Sequence, residues 1–138
     1  MRTISSIYFD TEDLKHFNRS EEGITPRSKF RIRSYNNDNK YSLEIKSKVN
    51  ERSSKKVIKL NHFNLNEIKN LIYKTCTEKL VPKLQVSYKR KYFLSVEKKI
   101  RYTLDYDIKF SKLDYNYKVL NSFKESKSVI EVKKNYDV

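Results

Sequence analysis

"KFRIRSY", Lys29 to Tyr35, places a cation at Lys29, Arg31 and Arg33, with Phe30 and Ile32 between them. Side chains of an extended strand alternate between two faces, so this stretch holds three positive charges on one side and apolar contacts on the other. The same period of two recurs along most of the chain. Tyr41, Leu43 and Ile45 alternate with Ser42, Glu44, Lys46 and Lys48; Lys55 and Lys59 oppose Ile58 and Leu60; Glu131 and Lys133 oppose Ile130 and Val132. Between Lys99 and Phe110, the set Ile100, Tyr102, Leu104, Tyr106 and Ile108 stands against Arg101, Thr103, Asp105 and Asp107. The pattern predicts strands over Thr3 to Thr11, Lys29 to Tyr35, Lys40 to Lys48, Ser53 to Leu60, Lys83 to Leu94, Lys99 to Phe110 and Ser128 to Lys134.

Two segments break the rhythm. Leu65, Ile68, Leu71 and Ile72 follow three-and-four spacing within "NLNEIKNLIYKTCTEKL", which predicts an amphipathic helix capped by Asn64. "TEDLKHF" predicts a short helical turn capped by Thr11 or Asp10, with acidic residues in its first turn. "SEEGITPRS" and "NNDN" read as loop and turn, and the Lys- and Asn-rich stretch after Phe110 reads as a connection. The fold class expected is therefore α+β, mainly antiparallel β with flanking helices.

The 138 residues fit one domain with a modest core. Lys and Arg number 31 against 17 Asp and Glu, a net charge of +14, which favours a polyanionic partner. Gly23 is the sole glycine, so neither a P-loop nor a dinucleotide fingerprint can form, and any phosphate is held by side chains. Cys76 is the sole cysteine, which excludes an intramolecular disulfide. With no apolar run long enough for a signal peptide or a membrane span, the chain reads as soluble and cytoplasmic.

A charged sheet face has two readings. It can simply face water, as in most antiparallel sheets. Alternatively, the sheet can curl into a closed or partly closed barrel whose lumen collects the charges into a polar tunnel, with helices outside. Arginine at Arg31, Arg33, Arg90 and Arg101 favours the tunnel, because its fork grips phosphate oxygens. Carboxylates on the same side, at Glu44, Asp105 and Glu131, suit a divalent metal bridging those oxygens.

The ordered series "SIYFDT", "PRSKFRIRSY", "YSLEIKSK", "SKKVIKL", "VSYKRKYF", "IRYTLDYDIKF" and "VIEVKK" resembles the VTC (vacuolar transporter chaperone) catalytic domain and its bacterial relatives. These are polyphosphate polymerases of the triphosphate tunnel metalloenzyme superfamily, related to CYTH-type enzymes. The resemblance runs from about Ile4 to Lys133 and implies one tunnel domain over residues 1–138. It departs from the family in lacking a first strand with an E-x-K-Y motif and a C-terminal element beyond Glu131.

The resemblance assigns phosphate contacts to Arg31 and Arg33 of R-x-R, Lys46 of L-E-x-K, Arg90, Arg101 and Lys133. It adds a lysine of the following strand, Lys55, with Lys56 and Lys59 leaving the register open. It assigns Mn²⁺ or Mg²⁺ to Glu131, helped by Glu44. Lys29, Asp105 and Lys59 are further candidates. The implied activity is transfer of the γ-phosphoryl of ATP to a growing inorganic polyphosphate, with association with a membrane partner protein also expected. Two alternatives stay open: a triphosphatase or polyphosphatase using the same residues, and a non-catalytic module binding polyphosphate or nucleic acid. Tyr35, Tyr41, Tyr88 and Tyr92 would then be stacking platforms. Tyrosine in strands more often packs than stacks on bases, which disfavours nucleic acid. His16 and His62 are expected at the surface, Cys76 as a packing residue late in the helix, and Asp10 as a cap.

Overall fold

A computed structural model of the chain describes residues 1–36, 38–97 and 99–134. Its strands are β1 (Arg2–Asp10), β2 (Arg27–Tyr35), β3 (Tyr41–Val49), β4 (Arg52–Leu60), β5 (Val81–Ser95), β6 (Ile100–Leu113), β7 (Val119–Glu125) and β8 (Val129–Lys134). Two helices, α1 (Lys15–Glu21) and α2 (Leu65–Thr75), follow β1 and β4. The predicted "NNDN" turn joins β2 to β3, although Asn37 lies outside the described residues.

All strand pairs are antiparallel, in the order β4-β3-β2-β1-β5-β6-β7, with β8 also on β6. β6 is long enough to serve two partners on one edge. Its residues Ile108 to Leu113 pair with β7 and Ile100 to Asp105 with β8. The order ends at β4 on one side and at β7 and β8 on the other, and among the described residues these edges do not pair. The sequence allows a closed or a partly closed barrel, and among the described residues the sheet does not close into a barrel. β7 is a strand where only a connection was expected: its seven residues are all exposed, so no burial drives them to alternate.

The registers divide the sheet into two faces. Phe9, Phe30, Ile32, Leu43, Ile45 and Leu60 form the apolar face, and Ile68 and Ile72 of α2 close over it. As expected, Asn64 caps α2, its carboxamide oxygen accepting from the N–H groups of Asn66 and Glu67. The helix ends at Thr75, so Cys76 is extended backbone beyond it and not the late helical residue expected.

α1 has a left-handed Leu14 at its N-cap position and no acidic residue in its first turn. Its free N–H groups are met instead by the end of β1 and the residue after it. Asp10 accepts from His16 and Phe17, and the Thr11 hydroxyl accepts from Lys15. Asp10 is thus the cap expected of it, acting across a turn.

The alternation of β6 does not run through unbroken. Asp107 adopts a positive φ of 51°, and the β5 pairing shifts between Ser87 and Lys89, so β6 carries one extra residue there. A bulge inverts the facing of everything beyond it. Asp105 lies on the charged face opposite Arg90, and after the bulge Phe110 lies on that same face opposite Val86. The expectation that Ile108 shares a face with Ile100 and Leu104 is corrected accordingly.

Candidate functional site

Cross-strand registers bring the predicted cations of β2, β3 and β4 into rows on one face. Lys29 stands opposite Lys46, which stands opposite Lys55; the adjacent row runs Arg31, Glu44, Val57, and the next Arg33, Ser42, Lys59. Of the β4 alternatives, the pairing puts Lys55 and Lys59 together on the charged face and Lys56 opposite Ile45 on the other.

Glu44 organises this region. It is 4% exposed, and its Oε1 accepts from Arg31 at 2.7 Å and from Lys55 at 2.9 Å. Burial pushes its carboxyl up, but the Arg31 and Lys55 hydrogen bonds together hold it below the ordinary carboxylate value. Arg33, also buried, donates from Nε to Ser6 Oγ at 3.0 Å and from Nη2 to the Tyr88 hydroxyl at 3.2 Å. Both guanidinium groups are therefore fixed before any ligand arrives.

The lysines differ. Although the Lys46 side chain is exposed overall, partial desolvation, and then the charges of Arg31, Lys55 and Arg33, lower its pKa. Lys29 and Lys46 are exposed beside Arg27 and Lys48, which are partly buried. A cleft of about 400 Å³ at this end of the sheet is lined by Arg27, Lys29, Lys46, Lys48 and Lys55 together with serines, and by no carboxylate. Like charges directly opposite one another in a sheet are destabilising. A row of three lysines across three strands is therefore an arrangement that an anion relieves.

The remaining candidates lie toward the other edge. Arg90 grips Asp105 with two hydrogen bonds, of 2.7 and 2.9 Å, and stands over the Tyr88 ring. This pairing, with Asp105 as first cause, raises the Arg90 pKa and commits Asp105 to structure. Arg101 is exposed and stands opposite Lys133, while Glu131 stands opposite Thr103. Lys133 and Glu131 are exposed and meet only at 4.0 Å. In strand order, β8 is five steps from β3, so Glu131 and Glu44 sit on distant strands of one face.

These placements test how well a hard divalent cation fits. Such ions take oxygen ligands, often one or two carboxylates plus phosphate oxygens. On this face Glu44 is held by two cations and Asp105 by Arg90, whereas Glu131 is loosely paired. Glu131 fits as a ligand whose partners would be mostly phosphate oxygens; Glu44 fits only by giving up Arg31 or Lys55.

The tyrosines offered as stacking platforms are largely engaged. Tyr41 packs against Phe63, Tyr88 accepts from Arg33, and Tyr35 and Tyr92 flank the Arg2 guanidinium. His62 is exposed, as expected, but His16 is 5% exposed and bonded on both ring nitrogens, which corrects its surface assignment. Sequence spacing did not reveal this, because its partners Ser28 and Glu78 are 12 and 62 residues away. Among the described residues no helix is long and apolar enough to cross a membrane.

The family model described as the VTC domain matches residues 1–137 of the chain. No curated protein matches it.

Proposed function

The chain belongs to the VTC domain family, and from that premise we propose that it is a polyphosphate polymerase-like phosphotransferase working on ATP and inorganic polyphosphate. The family is associated with polyphosphate polymerase activity and is in general metal-dependent. The observation that carries the reading is the row Lys29, Lys46, Lys55 beside the fixed Arg31 and Glu44, at a cleft lined by cations and serines and by no carboxylate.

Phosphoryl transfer requires positioning and charge neutralisation more than a protein nucleophile. Arg31 and Arg33 are oriented by Glu44, Ser6 and Tyr88, and the guanidinium N–H groups these partners leave unused are prealigned for phosphate oxygens. Lys46 and Lys55, with Lys29 and Lys59 at the margins, neutralise the chain of phosphates. Arg90, Arg101 and Lys133 extend the basic track along β5, β6 and β8. Glu131, with Glu44 as second candidate, would hold Mn²⁺ or Mg²⁺, which when bound neutralises phosphate oxygens and aligns them for in-line transfer. Curvature of the sheet would turn this face into a partly closed tunnel.

The test is to incubate the purified chain with ATP and Mn²⁺ or Mg²⁺ and resolve the products. Polyphosphate chains that lengthen with time are expected. Release of free phosphate alone would instead make the protein a hydrolase of the same superfamily. Polyphosphate binding without turnover would make it a sensor.

A further inference from the structure

Away from the charged face, His16 of α1 and the segment following α2 build a second cluster. One His16 ring nitrogen, Cys76 Sγ and a Glu78 carboxylate oxygen all lie within 4.8 Å of one another. His16 is buried, while Cys76 and Glu78 are partly buried. The His16 ring is oriented from both sides. Nδ1 lies 3.0 Å from the Ser28 carbonyl oxygen, and Nε2 lies 3.0 Å from Glu78 Oε1.

A carbonyl oxygen only accepts, so Nδ1 must carry a proton and donate it to Ser28. That leaves Nε2 of a neutral imidazole as a lone pair aimed at a carboxylate oxygen, with a thiol beside them. Two acceptors face each other across that gap unless a cation fills it, either a proton on Nε2 or a metal. Backbone hydrogen bonding at one nitrogen that frees the other is also the outer-shell arrangement of histidine metal ligands. The Arg19 guanidinium orients the Glu78 carboxylate by donating to Oε1 at 2.9 Å and to Oε2 at 3.2 Å.

We propose that His16, Cys76 and Glu78 form a zinc site that ties α1 and β2 to the connection between α2 and β5. One nitrogen, one sulfur and one oxygen donor suit borderline-soft zinc and do not suit Mg²⁺ or Mn²⁺, which prefer oxygen alone. Tetrahedral geometry with bonds of ~2.0–2.3 Å puts ligand atoms roughly 3.3–3.7 Å apart. The 3.0 Å His16–Glu78 spacing must open slightly and the widest spacing in the triad must close by about an ångström. Cys76 is extended backbone and Glu78 lies in a bend, both in the irregular connection beyond α2, where a small backbone adjustment does this. Water completes the coordination.

The full-length protein, freed of metal by chelation, is titrated with Co²⁺ and followed by absorption. We expect a sulfur-to-cobalt charge-transfer band in the near ultraviolet that saturates at one equivalent and is displaced by Zn²⁺. We also expect Zn²⁺ to raise the melting midpoint by roughly 5 °C or more at saturation. Cys76→Ser should lose the band, and Glu78→Gln, which can still hydrogen-bond His16, should bind Co²⁺ at least about 10-fold more weakly. Glu131→Ala should keep both band and shift, separating this site from the phosphate face. Circular dichroism checks that each variant is folded. Absence of the band in the folded wild type, or its survival in folded Cys76→Ser, would overturn the proposal.

Discussion

The two ends of the charged face carry the same residue types and behave differently. Around β2, β3 and β4, Arg31 and Glu44 are nearly buried, with side chains 12% and 5% exposed, and each is bonded to the other. Around β8, Glu131 and Lys133 are 55% and 67% exposed and barely touch. The first end lies over the α2-covered core; the second lies on an edge strand exposed from Val129 to Lys133. A charge that is buried must be paired to be tolerated, whereas an exposed one is free to be used. The comparison separates residues whose loss damages the fold from residues whose loss damages only chemistry.

The largest effect expected is on breaking the buried pair. Glu44→Ala leaves Arg31 and Lys55 facing each other without their shared carboxylate, and should cost about 3–5 kcal/mol in urea or thermal unfolding, in the range for breaking a buried ion pair. Glu131→Ala should change stability by less than about 0.5 kcal/mol in the same measurement, yet abolish metal-dependent turnover of ATP. Equal destabilisation by the two changes would erase the distinction between the ends.

A pH titration sharpens the comparison. The folded-state pKa of Glu44 is depressed, so its contribution to stability is present above the ordinary carboxylate range and is lost as pH falls through the folded value. Melting midpoints should fall more steeply with acid in the wild type than in Glu44→Gln, and Glu131→Gln should track the wild type. Lys46 works in the opposite range. Its lowered pKa means that the charged form burdens the fold, so stability rises as pH climbs through that value, and bound polyphosphate should suppress the rise. The smallest effect belongs to Lys59→Ala, an exposed cation opposite Ser42: stability within about 0.5 kcal/mol of wild type, with polyphosphate affinity lowered only modestly.

Most of the sheet was legible because burial enforces alternation. Ile32, Leu43 and Ile58 had to lie behind Arg31, Arg33, Glu44 and Lys55, and the three-and-four spacing of Ile68 and Ile72 named the helix that covers them. Legibility ends where that constraint ends. β7 is exposed along its whole length, so its sequence carries no face signal. The bulge at Asp107 depends on a positive φ, which Asp tolerates better than most residues but does not require, and it turns Phe110 onto the charged face against the parity of its sequence. Full closure was not legible for a related reason: alternation fixes which face a residue takes, whereas closure depends on whether the edge strands β4, β7 and β8 meet. The cluster of His16, Cys76 and Glu78 was hidden because only folding brings α1 beside the end of α2.

The central claim is that the cationic rows of β2, β3 and β4 are a polyphosphate site. Thermal melting of the purified chain with and without tripolyphosphate, at ionic strength matched by chloride, tests it most directly. Saturating tripolyphosphate should raise the midpoint markedly in the wild type and much less in a Lys46→Ala, Lys55→Ala double variant. An unchanged wild-type midpoint at saturating ligand would contradict the claim.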